Sequence, residues 1–261
     1  MNKICIENLT QRFVMPRKKE LTALHNINLT IKKNEFIAII GESGCGKSTL
    51  LNIIGGLLKP VSGTVSVNGL PVTGPHHSRM MMFQQPCLLP WLTVEENIAF
   101  GCKLRKETEG LSDKVADFIK TIGLEGFGNV YPNALSAGML QRVALARSLI
   151  GHPEILLMDE AFSDVDFFTR IRLLELLSHL WKKLDLTILL VTHDIDEALL
   201  LAERIILVGG RPGGIQGIFP ITEPFPRDMG NPVLYAQKKE ILNRFKPVTA
   251  TASSQDREEK K

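Results

Sequence analysis

The chain has 261 residues, 44% of them hydrophobic and 23% charged, which suits one large or two small globular domains with a sizeable core. Thirty-one basic against 28 acidic residues leave a net charge of +3, too weak a bias to point to nucleic acid. No run reaches the length of a membrane-spanning helix, and the cysteines at 5, 45, 87 and 102 form no C-x-x-C pair, which argues against a zinc site and a disulfide framework.

Met1 to Glu7 lacks the apolar stretch of a secretory signal, so a cytosolic chain is expected, able to reach a membrane through a partner. Phe36 to Ile40 is a short apolar run rich in β-branched residues and predicts a buried strand. Directly after it, Gly41-Glu42-Ser43-Gly44-Cys45-Gly46-Lys47-Ser48-Thr49 fits the phosphate-loop pattern G-x-x-x-x-G-K-[ST], and Ser48 to Ile54 continues as a candidate helix. Glycines at 41, 44 and 46 let the backbone turn with positive φ and aim N–H groups at one oxyanion. Lys47 then reaches the terminal phosphates, the Ser48 hydroxyl is placed for Mg²⁺, and Thr49 lies near the α-phosphate. Cys45 sits inside the loop, where modification would obstruct a nucleotide; its plainer reading is a small loop residue.

Gly63 to Gly69 predicts a further strand. Between Leu135 and Leu149, Ser136 reads as an N-cap, followed by Ala137, Gly138 and Met139 and an amphipathic helix. Its N-terminus is a second anion-binding device, and one triphosphate needs only one cradle. Glu154 to Glu160 reads as a buried parallel strand ending in two carboxylates. Alternation along that strand assigns them different work: Asp159 holds Mg²⁺ through its water shell, and Glu160 takes a proton from the water that attacks the γ-phosphate. Thr187 to Asp194 is another apolar strand, whose end delivers His193 to the same edge. Ile205 to Val208 is strand-sized, a helix is expected from Pro232 to about Phe245, and the polar tail from Pro247 is expected to be disordered.

Taken together, the phosphate loop, the acidic strand and Leu135-Ser136-Ala137-Gly138-Met139-Leu140-Gln141 resemble the ATP-binding subunit of an ABC transporter, over about residues 4 to 220 and in that family's motif order. The resemblance implies that the segment starting at Ser136 caps the ATP of a second subunit, so that two subunits close head to tail. It places Phe13 against adenine, although a core strand residue is the alternative. Gln84 matches the glutamine that senses Mg²⁺ and the attacking water, with Gln85 as the register alternative. Ser163-Asp164-Val165-Asp166 occupies the loop that crosses the dimer, and His193 matches the switch histidine. Ala137, Met139, Ala161 and Asp164 depart from the commonest family residues. Asp164 either weakens closure or pairs with a basic group across the interface.

Leu88 to Gly101 and Arg211-Pro212-Gly213-Gly214 look like the nitrate, sulfonate and taurine importer group, and Pro86 to Trp91 falls where a membrane subunit's short cytoplasmic helix docks. Leu89 and Trp91 either form that socket or pack inside the helical insertion. The resemblance implies an α/β fold: a P-loop NTPase core with a mainly parallel sheet, a small antiparallel β subdomain and an inserted helical subdomain at about 86–150. Residues 1–230 form the ATP-binding domain, and 231–261 the C-terminal helix and tail. It implies ATP and Mg²⁺ as cofactors, a second ATP-binding subunit and membrane permease subunits as partners, a solute-binding protein acting through them, and no nucleic acid. The expected place is the cytoplasmic face of the membrane. A soluble ABC ATPase and a nucleotide-gated binding module with little hydrolysis are the alternatives.

Overall fold

The structure is a computed structural model and describes residues 2–14, 16 and 20–245. The tail expected from Pro247 lies outside the described residues. Strands β1 (Asn2–Val14) and β2 (Glu20–Lys32) pair antiparallel. With β4 (Ser62–Val67) and β5 (Leu70–Pro71) they make a four-stranded antiparallel sheet ordered β2-β1-β4-β5.

A second sheet holds β3 (Phe36–Ile40), β6 (Arg79–Met82), β7 (Ile155–Asp159), β8 (Thr187–Val191), β9 (Arg204–Gly209) and β10 (Gly214–Pro220). Its order is β10-β9-β3-β8-β7-β6, parallel throughout except that β10 runs antiparallel to β9. Both faces are covered, which is why these strands read as continuous apolar runs. The two-residue period of a strand divides them between two cores. Phe36, Ala38 and Ile40 of β3, Leu156 and Met158 of β7, and Ile188 and Leu190 of β8 face one core. Ile37, Ile39, Ile155, Leu157, Leu189 and Val191 face the other, together with Leu50, Leu51, Ile53 and Ile54 of α1 (Lys47–Gly55).

Helices α2 (Val94–Leu104), α3 (Leu111–Thr121) and α4 (Ala137–Leu149) enclose a third cluster built on Val94, Ile98, Leu111, Val115, Val143 and Ala146. A reciprocal capping box starts α2: Thr93 Oγ1 accepts from Glu96 N, and Thr93 N donates to Glu96 Oε2. Helix α4 differs from its expected amphipathic character. Ala144, Leu145 and Leu149 join the sheet core while Val143 and Ala146 face the helical cluster, so α4 is buried around most of its circumference. A helix wedged between two cores has no wet face to keep polar. The chain continues through α5 (Phe167–Leu184), α6 (Ile195–Leu201) and α7 (Pro232–Phe245).

This topology positions the site. Four adjacent strands, β3, β8, β7 and β6, run parallel, so their carboxyl ends open on one edge.

Candidate functional site

The loop after β3 has the geometry its glycines anticipate. Gly44 and Gly46 have φ of 78° and 99°, in the left-handed region. Gly41 is needed for space, because a Cβ there would stand 2.0 Å from the Val208 carbonyl oxygen. Lys47 is buried, and its Nζ donates to the Gly41 and Glu42 carbonyl oxygens, at 2.9 Å each, which fixes the ammonium inside the curve of the loop. The turn Arg211 to Gly213 between β9 and β10 lies against this loop, since a Cβ on Gly213 would stand 1.9 Å from Cys45 O, and it is tied to β2: His25 N donates to Gly213 O at 2.9 Å and Gly213 N to Ala23 O at 3.0 Å. The Cys45 thiol is buried, lies 3.4 Å from Val208 O and is pushed up by burial, so it is a packing residue at the root of the loop.

Ser48 Oγ donates to Asp159 Oδ1 at 2.9 Å, joining the start of α1 to the end of β7. Burial raises the Asp159 carboxyl, the neighbouring Glu160 raises it further, and Ser48 and Lys47 oppose the shift. A hard cation beside Ser48 would relieve that burden. Among the described residues no cluster of three or more His, Cys, Asp or Glu side chains is placed to hold a metal. One carboxylate and one hydroxyl suit Mg²⁺, which takes few protein ligands and completes its shell with phosphate and water.

Glu160 is not the last strand residue that alternation assumed. Strand β7 stops at Asp159, and Glu160 has φ of 50°, a left-handed conformation uncommon for a residue with a side chain. Its N–H donates to Val191 O at 2.9 Å, and its carbonyl oxygen accepts from Ser163 N at 3.1 Å and Ser163 Oγ at 2.9 Å. The kink, rather than strand alternation, separates the two carboxylates. It also places Glu160 Oε2 3.2 Å from His193 Nδ1, at the end of β8.

From the end of β6, Gln84 Nε2 donates to Asp164 Oδ1 at 3.0 Å, so Asp164 meets a glutamine of its own chain. Ser48, Phe83, Gln84, Gln85, Cys87, Asp159 and Glu160 line one cavity of about 520 Å³, which keeps both glutamine registers at the site. Asp166 caps α5 by accepting from Thr169 N at 3.1 Å.

Ser136 is the N-cap of α4, and its Oγ accepts from Met139 N at 3.4 Å. Ser136 and Ala137 are exposed, Met139 is half-buried and Gly138 is buried. Ala137 is the first residue of α4 and has no positive φ, so its methyl group adds no backbone strain. Gly138 has a different reason: a Cβ there would stand 2.3 Å from Thr169 Cγ2. This helix start lies apart from the phosphate loop's own set of contacts. Phe13 is half-buried near the end of β1, opposite Leu21.

A family model described as ABC transporter matches residues 24–163. The chain belongs to the ABC transporter family. It is 43% identical over 235 residues to the aliphatic sulfonates import ATP-binding protein of Bacillus licheniformis, covering 90% of this chain and 91% of that one. It is 44% identical over 216 residues to the taurine import ATP-binding protein of Pelagibacter ubique, covering 82% of each. A dimeric, post-hydrolysis ATP-binding cassette bound to ADP and Pi superposes with a TM-score of 0.74 at 33% identity, over 85% of this chain and 100% of that one. The P-loop NTPase fold expected from the sequence is therefore the fold of this cassette, and the chain is an ABC ATPase. No described helix is long and apolar enough to cross a membrane.

Several organising residues of the cassette were not singled out from the sequence. Arg170 donates to Ser163 O at 3.1 Å and Val165 O at 3.2 Å and reaches Asp194 Oδ2 at 3.4 Å, tying the loop at 163–166 to α6. Arg147 donates to Cys87 O at 2.7 Å and Pro86 O at 2.8 Å. Asn97, fully buried, accepts from Leu89 N and donates to the carbonyl oxygens of Leu89, Leu92 and Thr93. Between these clamps Trp91 stands 68% exposed and Leu89 half-buried. Each is a polar residue whose partners lie across the fold or in a loop, with no local pattern to mark it.

Proposed function

We infer that the chain is the ATP-hydrolysing subunit that powers an importer for a small anion or organic solute of the sulfonate, taurine and nitrate kind. The observation that carries the hydrolytic part of this reading is the edge where Ser48 meets Asp159 at 2.9 Å and Glu160 meets His193 at 3.2 Å, beside the phosphate loop, while the solute class rests on the sulfonate and taurine import relatives. The loop N–H groups and Lys47 hold the triphosphate, with the α1 dipole behind them. Ser48, Asp159 and Gln84 would hold a Mg²⁺ ion, which when bound would neutralise phosphate charge. Glu160 accepts the proton of the attacking water, and His193 orients Glu160 and faces the γ-phosphate. Phe13 offers its ring to the adenine.

The second half of the machinery is a second copy of the chain. Ser136, Ala137, Gly138 and Met139 face the triphosphate of the partner, and Ser163, Asp164 and Asp166 lie at the crossing. Residues 1–230 act as one ATP-binding domain with its helical subdomain at about 86–150, and residues 231–261 follow as helix and tail. The exposed Trp91, on a loop anchored by Arg147 and Asn97, suits the docking of a permease's cytoplasmic helix, so the cassette sits at the cytoplasmic membrane face and serves a solute-binding protein through the permease.

Steady-state phosphate release tests the assignment. Glu160→Gln keeps the side-chain shape, so it should bind ATP with near wild-type affinity and lose hydrolysis by at least a hundredfold. Wild-type turnover in that variant would remove Glu160 as the base.

A further inference from the structure

The bond between Gln84 and Asp164 joins residues 80 positions apart and belongs to a longer chain of contacts. Gln141 Nε2, on α4, donates to the Gln84 carbonyl oxygen at 2.8 Å. Gln84 Nε2 donates to Asp164 Oδ1 at 3.0 Å, and the same Oδ1 lies 3.4 Å from Ser163 Oγ. Ser163 Oγ also lies 2.9 Å from the Glu160 carbonyl oxygen, and Glu160 meets His193.

An amide side chain has two unlike ends. An ionised carboxylate only accepts hydrogen bonds, so the end of Gln84 that faces Asp164 must be its NH₂ group. That leaves Oε1 as the end free to meet a donor or a cation in the cavity Gln84 shares with Ser48, Asp159 and Glu160. A Mg²⁺ ion takes oxygen and not an amide NH₂, and an attacking water needs an acceptor for one of its hydrogens. With a small apolar residue at 164, both orientations of the amide would be open.

We propose that Asp164 is a positioning residue that fixes the orientation of the Gln84 amide, presenting Oε1 to the metal and the attacking water. The proposal rests on the reading of Gln84 as a residue of the hydrolytic site. The carboxylate at 164 is then a working part of that site and not merely a repulsive charge at the subunit crossing.

Asp164→Ala and Asp164→Asn separate the two roles. The asparagine removes the charge and keeps an oxygen that can accept from Gln84 Nε2, but its NH₂ group can equally donate to Gln84 Oε1, so it holds the amide without fixing its direction. With the non-hydrolysable analogue AMP-PNP bound, Mn²⁺ affinity read by electron paramagnetic resonance should fall about threefold to tenfold in Asp164→Ala, as expected for one exposed hydrogen bond, and by a smaller factor in Asp164→Asn, which keeps a bond to the amide but not its direction. In steady state, kcat should fall by a similar factor in the alanine variant while KM for ATP changes less than about twofold. Combining Asp164→Ala with Gln84→Ala should cost no more than Gln84→Ala alone. Equal behaviour of the alanine and asparagine variants would overturn the proposal in favour of a pure charge effect. Wild-type Mn²⁺ affinity in either single variant, or additive losses in the double variant, would overturn it as well. Glu160→Gln serves as the control: its failure to stop hydrolysis would indict the site itself, whereas a failure of the Asp164 variants alone leaves the ATPase reading standing.

Discussion

Gly138→Ala tests what the glycine at the start of α4 is for. A resemblance to signature segments points to close approach of a phosphate to the backbone. The structure gives a second reason, because the added Cβ would stand 2.3 Å from Thr169 Cγ2, well inside van der Waals contact. Either Thr169 must turn out of its rotamer or α4 and α5 must separate by about an ångström, at a cost of about 1–3 kcal/mol of overpacking. For a cassette of this size that lowers Tm by about 2–12 °C. In the proposed dimer the start of α4 would be displaced from the partner's nucleotide, so hydrolysis should fall about tenfold or more while ATP binding to the separate subunit stays nearly unchanged. The decisive variant is Gly138→Ala with Thr169→Ser. The serine removes only Cγ2, and the remaining Thr169 Cβ and Oγ1 stand at 3.6 and 3.7 Å from the new methyl, an ordinary contact. Thermal unfolding and phosphate release should therefore recover together in the double variant. Recovery of Tm with no recovery of activity would show that the methyl group blocks the phosphate; recovery of neither would refute the steric argument altogether.

Asn97→Ala strands Leu89 N–H and Leu92 O, whereas Leu89 O and Thr93 O keep backbone donors. Two orphaned groups at about 1–3 kcal/mol each predict a loss of about 2–6 kcal/mol by denaturant unfolding, and a loss below about 0.5 kcal/mol would contradict it. Asp159→Asn should raise the Tm of the nucleotide-free protein at pH 7. The folded-state pKa of Asp159 lies above its ordinary 3.8, so the ionised carboxylate opposes folding, and that penalty grows as pH rises through the raised value. The gain should vanish at acidic pH below 3.8, where the carboxyl is protonated in folded and unfolded chains alike; a gain independent of pH would contradict the assignment. Alkylation followed by peptide mass spectrometry should find Cys87 first, since it is exposed, and buried Cys45 and Cys102 last. Early labelling of Cys45 would mean the phosphate loop opens far more than its packing implies.

What was legible in the sequence was local. The phosphate loop announces itself because Gly44, Gly46, Lys47 and Ser48 must follow one another to build one concavity, and β3, β7 and β8 announce themselves because burial on both faces leaves no polar position. Asp159 and His193 follow from the rule that parallel strands gather their ends on one edge. The unread parts depend on distant partners. Strand β6 is short and ends in the Met80-Met81-Met82 run, and its place beside β7 comes only from pairing in register. Strand β10 has glycines at 214 and 217 and an alternation too weak to read. The left-handed turn at Glu160 carries no sequence signal, because Val191 and Ser163 impose it from outside. The amphipathic reading of α4 failed for a related reason: two cores claim its two faces. Asp164 looked like a misfit in isolation and found its partner 80 residues away.

In the proposed mechanism two copies of this chain close around two ATP molecules. Sedimentation velocity of Glu160→Gln with ATP and Mg²⁺ tests it directly. A nucleotide-dependent dimer is expected that forms with ATP, returns to monomer with ADP, and is lost when Ser136→Arg fills the start of α4. A protein that stays monomeric while saturated with ATP, at concentrations where hydrolysis by the wild type is measurable, would contradict it.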